Sequence, residues 1–416
     1  MAGAPQKALI ALGSAGLAAL VGLQLLPDEA PEVDTVELVD SGAEIEEIFA
    51  ERDAELAAEA GRMSLSDGGI GAGPGPGADG AVAEPPALPR VMVREKAASK
   101  LFPSIGSGQI YDPHLLSRHK PSVIWRRVLE EHPSGGWRMR TNTLGLREDT
   151  EVATEQPDLR ILVVGDSHVD GVCDNVDAFP NVLERLLAER HPGLGVESLN
   201  GGTGGWSFYN YLGALEGFRH LAPDVFVVTV YGGNDFYGAL DLHHYHRGEK
   251  RPRRERRTVG TLVRLSKENM GIPSQYYSQV AYFHDHPDEE PAARQMARDV
   301  VLEIARQCEE MGTALLCVYL PPMAHGQPER FEAALELAQS YLPVSDEELE
   351  VDERLADAWL ADLEEAGIRA VDLRPAFRAA AEPLYWDTDH HISLDGQQRV
   401  AEEILAAVEE LAGLRR

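Results

Sequence analysis

Apolar residues in the second half of the chain follow two alternating patterns. Five short runs, rich in aliphatic and β-branched residues, have the length of buried strands; they are residues 160–164, 195–199, 224–231, 313–320 and 368–373. Longer stretches have apolar residues at helical spacing; they are residues 178–190, 207–220, 292–311, 329–341, 352–366 and 394–411. Strands that alternate with helices in this way predict an α/β fold, with a parallel sheet covered by helices on both faces.

The amino terminus has a different pattern. Lys7 is followed by an uncharged apolar stretch, residues 8–26, which is just long enough to cross a bilayer core of about 30 Å as a helix. It is longer than the apolar region of a typical signal peptide. We therefore expect an uncleaved signal anchor at residues 1–26, with the chain that follows outside the cytoplasm. A cleaved signal peptide and a buried helix are the alternatives.

Composition divides the rest of the chain into three segments. Residues 27–90 are acidic and then rich in Gly and Pro, which is typical of a disordered linker. Residues 91–157 have a mixed pattern and are interpreted as a lead-in segment that packs on the following domain. Residues 158–416 form the predicted α/β domain, with an insertion at about 236–291.

Charge and cysteine content exclude several classes of function. The net charge of −31 argues against nucleic acid as a partner, because phosphate binding needs positive patches. Three cysteines, Cys173, Cys308 and Cys317, form neither a disulfide framework nor a zinc pattern, so buried free thiols are expected. We expect no metal and no cofactor. The basic loop at 247–257 is interpreted as solvated, with a contact to an anionic surface as the alternative.

Four polar turns carry the candidate chemistry. They are residues 165–168 (Gly-Asp-Ser-His), 200–205 (Asn-Gly-Gly-Thr-Gly-Gly), 232–235 (Gly-Gly-Asn-Asp) and 387–391 (Asp-Thr-Asp-His-His). The first three follow predicted strands, and the last precedes the final helix. In open parallel sheets, functional sites gather at the carboxyl ends of the strands, so we expect these turns to lie close together.

The residues in these turns suit nucleophilic catalysis by serine. A serine hydroxyl needs a base, an orienting acid and donors for the oxyanion. Ser167 can attack, and a carboxyl-terminal His beside an Asp can take its proton. The backbone N–H groups of Ser167 and Gly202, with the side-chain amide of Asn234, can bind the oxyanion. The Gly-x-Ser-x-Gly turn of α/β-hydrolases is absent, since Val169 occupies its last position.

The four turns together resemble the conserved blocks of the SGNH/GDSL hydrolase family, in the family's order. The second turn matches the family's Asn-x-Gly-x-x-Gly form at Asn200, Gly202 and Gly205. The resemblance implies a flavodoxin-like, three-layer fold with a five-stranded, mainly parallel sheet. It also implies that Ser167 is the nucleophile and that Gly202 and Asn234 complete the oxyanion hole. A bacterial, membrane-anchored member of the family is expected.

The last turn offers two Asp/His pairs. Asp387 and His390 have the Asp-x-x-His spacing that is common in the family. His391, however, directly precedes an x-Ser-x-x-Gly turn, where family members usually place the catalytic His. Asp389 would then supply the acid, in a form similar to periplasmic polysaccharide O-acetyltransferases. We prefer Asp389 with His391 and keep the other pair as the alternative.

The expected function is ester hydrolysis through an acyl-enzyme on Ser167. The expected substrates are short acyl esters, such as acetyl esters, on a glycan or a lipid. One alternative is a polysaccharide O-acetyltransferase, and another is a catalytically silent domain that binds glycans. The sequence leaves the oligomeric state open, and the only macromolecular partner that it predicts is the membrane that holds the amino-terminal helix.

Overall fold

The computed structural model describes residues 88–252, 274–342 and 344–414. The expected signal anchor at residues 1–26 and the linker up to residue 87 lie outside the described residues, as do residues 253–257 of the basic loop. Within the described ranges, no helix combines the length and the apolar character needed to cross a membrane.

Strands and helices alternate along the described chain. The strands are β1 (Gln109–Asp112), β2 (Leu116–His119), β3 (Ile124–Val128), β4 (Gly136–Arg140), β5 (Leu159–Val164), β6 (Val196–Asn200), β7 (Val225–Tyr231), β8 (Ala314–Leu320) and β9 (Arg369–Asp372). The helices are α1 (Glu95–Leu101), α2 (Ser167–Asp170), α3 (Phe179–Arg190), α4 (Phe208–Phe218), α5 (Asp235–Arg247), α6 (Ser274–Asp285), α7 (Glu289–Met311), α8 (Met323–Gly326), α9 (Pro328–Gln339), α10 (Asp346–Leu349), α11 (Val351–Glu365), α12 (Arg374–Ala379) and α13 (Leu394–Leu411).

Five of the strands form one sheet in the order β6-β5-β7-β8-β9. All four neighbouring pairs are parallel. This order is that of flavodoxin-like folds, in which the chain reverses direction across the sheet beside its first strand. The expected five-stranded parallel sheet is therefore confirmed. β7 is buried along its whole length, as expected for a strand that helices cover on both faces.

Two groups of helices cover the sheet. α3 and α13 pack against each other on one face. α4, α5 and α11 pack around the long helix α7 on the other. α13 begins and ends at the predicted residues. Its apolar stripe is continuous, and Ser393 caps its amino terminus by accepting the N–H of Gly396. The three cysteines are buried and unpaired, as expected.

The lead-in segment contains structure that the sequence pattern did not predict. It forms two antiparallel hairpins, β1–β2 and β3–β4. Val93, Leu115 and Leu146 belong to the same hydrophobic core as the five-stranded sheet. The fully buried Arg147 donates hydrogen bonds to the carbonyl groups of Gly171 and Cys173. The lead-in is thus part of the same packed unit as the sheet.

Candidate active site

Ser167 lies at the first turn after β5, at the start of α2. Gly165 is required there, because a Cβ at this position would lie 2.1 Å from the Val169 side chain and 2.9 Å from the Thr229 carbonyl oxygen. The buried carboxylate of Asp166 caps α2 by accepting the N–H of His168 at 2.9 Å. The first N–H groups of a helix have no acceptor within it, so this turn presents N–H donors beside the hydroxyl of Ser167.

The structure brings Ser167, His391 and Asp389 into one line of hydrogen bonds. The Ser167 Oγ lies 2.8 Å from Nε2 of His391. Nδ1 of the same ring lies 2.5 Å from Oδ1 of Asp389. Oγ of Ser167 also lies 3.4 Å from the Asp166 carboxylate, but the contact to His391 is shorter. This is the arrangement of nucleophile, base and orienting acid in a serine hydrolase.

The alternative pair is arranged differently. The Asp387 carboxylate is 71% exposed and forms an ion pair with Arg330. His390 adopts the left-handed conformation, with φ of 67°, and so turns the chain between Asp389 and His391. Of the two sequence-predicted pairs, the structure therefore joins Asp389 and His391 to the nucleophile.

The electrostatic environment of His391 suits a proton acceptor. Burial by itself would lower the pKa of His391, but the adjacent Asp389 carboxylate outweighs this effect and raises the pKa above its ordinary value. Burial likewise would raise the pKa of Asp389, and the contact with His391 instead lowers it. Asp389 is thus ionised at neutral pH and stabilises the imidazolium that forms when His391 takes a proton.

The ring of His168 lies beside the ring of His391. It stacks on Tyr231 at a centroid distance of 3.8 Å and lies 4.6 Å from the ring of His391. Burial lowers the pKa of His168 well below its ordinary value, so this ring stays neutral beside His391. Its Nδ1 accepts the N–H of Ile392 at 3.4 Å, which ties the residue after the base to α2.

The structure does not support the expected role of Gly202. Its N–H already donates to Oδ1 of Asn200 at 2.9 Å, so it is not free to bind an oxyanion. Gly202 has another function. A Cβ there would lie 2.4 Å from the backbone nitrogen of Asp170, and glycine therefore allows the loop to touch the backbone of α2.

Gly204 lies beside Ser167. A Cβ at Gly204 would be 3.7 Å from Cβ of Ser167. Thr203, just before it, donates its N–H to the carbonyl of Gly165. No described residue accepts the N–H of Gly204 or of Gly205. Among the described residues, the glycine loop therefore has free backbone donors at Gly204 and Gly205, two and three residues later than the sequence predicted.

Asn234 follows β7 and begins α5. Its side-chain amide has no hydrogen-bond partner among the described residues, so it remains available to a ligand. The turn is held on one side by Asp235, whose buried carboxylate accepts the hydroxyl of Tyr211 at 2.7 Å and the N–H of Tyr231 at 2.8 Å. On the other side, Nε2 of Gln279 donates to the carbonyl of Gly232 at 2.6 Å.

Glu131, a residue of the lead-in, holds the turn that carries the acid. Its carboxylate accepts the N–H groups of Asp387 at 2.6 Å, Thr388 at 3.2 Å and Asp389 at 3.1 Å. No signal in the sequence indicates a role for this residue. Glu131 lies 258 positions before Asp389, and no motif or periodicity links positions that far apart.

A second lead-in contact reaches α2. Nε2 of His119 lies 3.1 Å from the carboxylate of Asp170, the last residue of the helix that Ser167 begins. In the part of the chain that the structure describes, no group of three His, Cys, Asp or Glu side chains is placed to hold a metal ion.

Comparison with known proteins finds similar solved structures and one matching family model. Among solved structures, an acetylxylan esterase from Geobacillus stearothermophilus, in a catalytic mutant, is 16% identical over 62% of this chain and 96% of that one, with a TM-score of 0.37. The hydrolase LAE5 from the metagenome of Lake Arreo, Spain, is 17% identical over 62% and 98%, with a TM-score of 0.38. A GDSL-like lipase from Bacteroides thetaiotaomicron is 12% identical over 62% and 92%, with a TM-score of 0.35.

No curated protein matches the sequence. A family model does match its carboxyl-terminal part, residues 276–415, which include Asp389 and His391 but not Ser167. This part of the chain is thus similar to the family described as ALGX, the SGNH hydrolase-like domain of the acetyltransferase AlgX.

Proposed function

We propose that the protein is a serine-dependent enzyme that cleaves acyl esters through an acyl-enzyme. The observation that carries the proposal is the continuous line of hydrogen bonds from Ser167 through His391 to Asp389. A hydroxyl, an imidazole and a carboxylate in this order supply the nucleophile, the general base and the group that fixes the tautomer of the base. The match of residues 276–415 to an SGNH hydrolase-like family supports the same class of chemistry.

The reaction proceeds in two halves. Oγ of Ser167 attacks the ester carbonyl carbon while its proton passes to Nε2 of His391. The oxyanion that forms lies between the N–H of Ser167 and the amide of Asn234. When the carbon–oxygen bond of the leaving alcohol breaks, His391 returns the proton to that alcohol. The acyl group then remains as an ester on Ser167.

The second half differs between a hydrolase and a transferase only in the acceptor. In hydrolysis, His391 takes a proton from water while the water oxygen attacks the acyl carbon. The bond between that carbon and Oγ of Ser167 then breaks, His391 returns the proton to Oγ, and the acid is released. In transfer, a sugar hydroxyl takes the place of water. The second candidate, a polysaccharide O-acetyltransferase, is favoured by one observation, because the matching family model is described as that of an acetyltransferase.

The proposed substrates carry short acyl groups, such as acetyl, on a glycan or a lipid. We further propose that the enzyme works outside the cytoplasm, held by a signal anchor at residues 1–26; this part rests on the uncharged stretch at residues 8–26. A catalytically silent domain that binds glycans would not require the hydrogen bonds that join Ser167, His391 and Asp389. These contacts therefore favour an enzyme.

An ester panel tests the proposal. Nitrophenyl esters with acyl chains of increasing length are offered to the wild type, to Ser167→Ala and to His390→Ala, a matched control at the histidine outside the line of hydrogen bonds. We expect turnover of the shortest esters by the wild type and His390→Ala, and none by Ser167→Ala. Turnover by Ser167→Ala at the wild-type rate, or no turnover by folded wild type, would refute it.

The same assay separates the two candidates. A polysaccharide acceptor is added at increasing concentration, and the released acid and the acylated polysaccharide are both measured. Release of acid that does not change with the acceptor indicates a hydrolase. Acid release that falls while the acylated polysaccharide rises indicates a transferase.

A further inference from the structure

We propose that Gln109, in strand β1 of the lead-in, is a positioning residue for the oxyanion hole. It holds the peptide between Gly204 and Gly205 so that the N–H of Gly205 is aimed at the oxyanion on the acyl carbon bound to Ser167. This inference rests on the proposed function. It assigns to the hairpin β1–β2 a part in the reaction, beyond its part in the core.

The backbone of the glycine loop leaves two candidate donors. The N–H groups of Gly201, Gly202 and Thr203 donate to the Val163 carbonyl, the Asn200 side chain and the Gly165 carbonyl, respectively. Those of the next two residues have no acceptor in the described chain. The loop's contribution to an oxyanion hole therefore comes from Gly204 or Gly205.

Gln109 fixes the direction of the second of these donors. Its Nε2 donates to the carbonyl oxygen of Gly204 at 2.9 Å. The described chain has no cis peptide bond, and in a trans peptide the C=O and the N–H point in opposite directions. The N–H of Gly205 therefore points away from Gln109. A Cβ at Gly204 would lie 3.7 Å from Cβ of Ser167, which places this peptide beside the nucleophile.

The amide of Gln109 is itself held in one orientation. Its side chain is buried, and its Oε1 accepts the hydroxyl of Ser117 from the paired strand β2. This contact leaves Nε2 on the side of Gly204. The carbonyl of Ser117 in turn accepts Nε1 of Trp206 at 2.7 Å. The hairpin thus holds the chain on both sides of Gly205.

The same face of the hairpin also holds the nucleophile's helix. Gln109 pairs with His119 across the two strands, and paired residues point to one face of a sheet. His119 contacts Asp170 at 3.1 Å, three residues after Ser167. One face of the hairpin therefore contacts both the glycine loop and the helix that Ser167 begins.

This fixation matters because Gly205 has no conformational preference of its own. Its φ of 83° is a value that glycine adopts freely. An oxyanion donor is useful only when it points at the developing charge before the reaction starts. Without Gln109, the peptide between Gly204 and Gly205 can rotate. The transition state then loses stabilisation, while the binding of the substrate does not change.

The test measures kcat, KM and the thermal midpoint of Gln109→Met, which keeps an unbranched side chain but cannot donate. Gln156→Met is the matched control, because Gln156 also donates to a backbone carbonyl, that of Ala222, away from the site. For Gln109→Met we expect kcat for a short ester to fall by about tenfold or more, with KM within error of the wild type. The midpoint should also fall, because the buried hydroxyl of Ser117 loses its acceptor. Gln156→Met should retain the wild-type kcat.

Two further results make the test decisive. Ser117→Ala removes only the contact that orients the Gln109 amide, and it should lower kcat in the same direction without changing KM. An unchanged kcat in folded Gln109→Met, an equal fall of kcat in Gln109→Met and Gln156→Met, or a KM that changes as much as kcat would overturn the proposal. Failure of the wild type to turn over esters would instead count against the proposed function.

Discussion

Nε2 of His391 lies 2.8 Å from Oγ of Ser167, although 224 positions separate the two residues in the chain. The parallel sheet explains this proximity. β5 ends at the turn that holds Ser167, and α13, which follows His391, packs against α3 and donates from Nε2 of Gln397 to the carbonyl of His168 at 3.1 Å. The hydrogen bond between the two side chains is the geometric basis of the proposed reaction.

The two adjacent histidines should differ strongly in their effect on activity. His391→Ala removes the only imidazole within hydrogen-bond reach of Ser167 among the described residues, and we expect kcat/KM to fall by about 10³-fold or more. His390→Ala should keep activity within about threefold of the wild type. Steady-state ester hydrolysis measures both. The reverse order of effects would assign the base to His390 and the acid to Asp387.

The dependence of activity on pH should have an acidic limb set by His391. Only the neutral imidazole accepts the proton of Ser167, so kcat/KM should fall as the pH drops through the pKa of His391. Because Asp389 raises that pKa, the midpoint of the limb should lie above about 6.5, the ordinary value for His. A pH profile of kcat/KM measures it.

Replacement of the acid should move that limb. Asp389→Asn removes the negative charge, so the pKa of His391 should fall and the limb should shift to lower pH. Maximal kcat should also fall, by up to about 10⁴-fold, because the amide no longer fixes the tautomer of the base. An unshifted limb in Asp389→Asn would mean that another group titrates.

Gly202 and Gly204 should respond differently to the same substitution. Gly202→Ala keeps the N–H but places a methyl 2.4 Å from the backbone nitrogen of Asp170, so we expect a loss of stability of about 1–3 kcal/mol. Gly204→Ala places its methyl at an ordinary 3.7 Å from Cβ of Ser167. Its thermal midpoint should not change, but esters with long acyl chains should lose more kcat/KM than acetyl esters. Equal midpoints for the two variants would contradict this account.

Glu131 should affect catalysis more than stability. Glu131→Ala leaves the N–H groups of Asp387 and Asp389 to solvent, at a cost of about 1 kcal/mol. The loosened turn should misplace Asp389 and lower kcat by about tenfold. Glu130→Ala, at the exposed neighbouring position, is the control and should retain wild-type kcat. A loss in both variants would point to a general effect on the β3–β4 hairpin.

The sheet and the start of the last helix were predictable because their signals are local, whereas the choice of His391 rested on the resemblance to the SGNH/GDSL family and its role as the base stays a prediction. Each strand of the main sheet is a continuous apolar run, and the x-Ser-x-x-Gly turn after His391 marks a helix start with Ser393 as its cap. These features depend on neighbouring residues only, so a single sequence contains them. The free cysteines follow in the same way from their number and apolar surroundings.

The supports of the site were not predictable, because they depend on contacts between distant segments. The hairpins of the lead-in are short and irregular in pattern, and their partners lie far along the chain: Gln109 contacts Gly204, and Glu131 contacts Asp389. The role of Gly202 was assigned from a motif. The motif gives the spacing of the glycines but not the acceptor of each N–H, which only the folded loop determines.

The most direct test of the proposed function is covalent labelling of the serine. The folded full-length protein is treated with a fluorophosphonate, and intact mass followed by peptide mapping identifies the site. The account predicts one adduct per chain on Ser167, slower labelling of His391→Ala, and no adduct on Ser167→Ala. An unlabelled wild type, or an adduct that persists in Ser167→Ala, would contradict it.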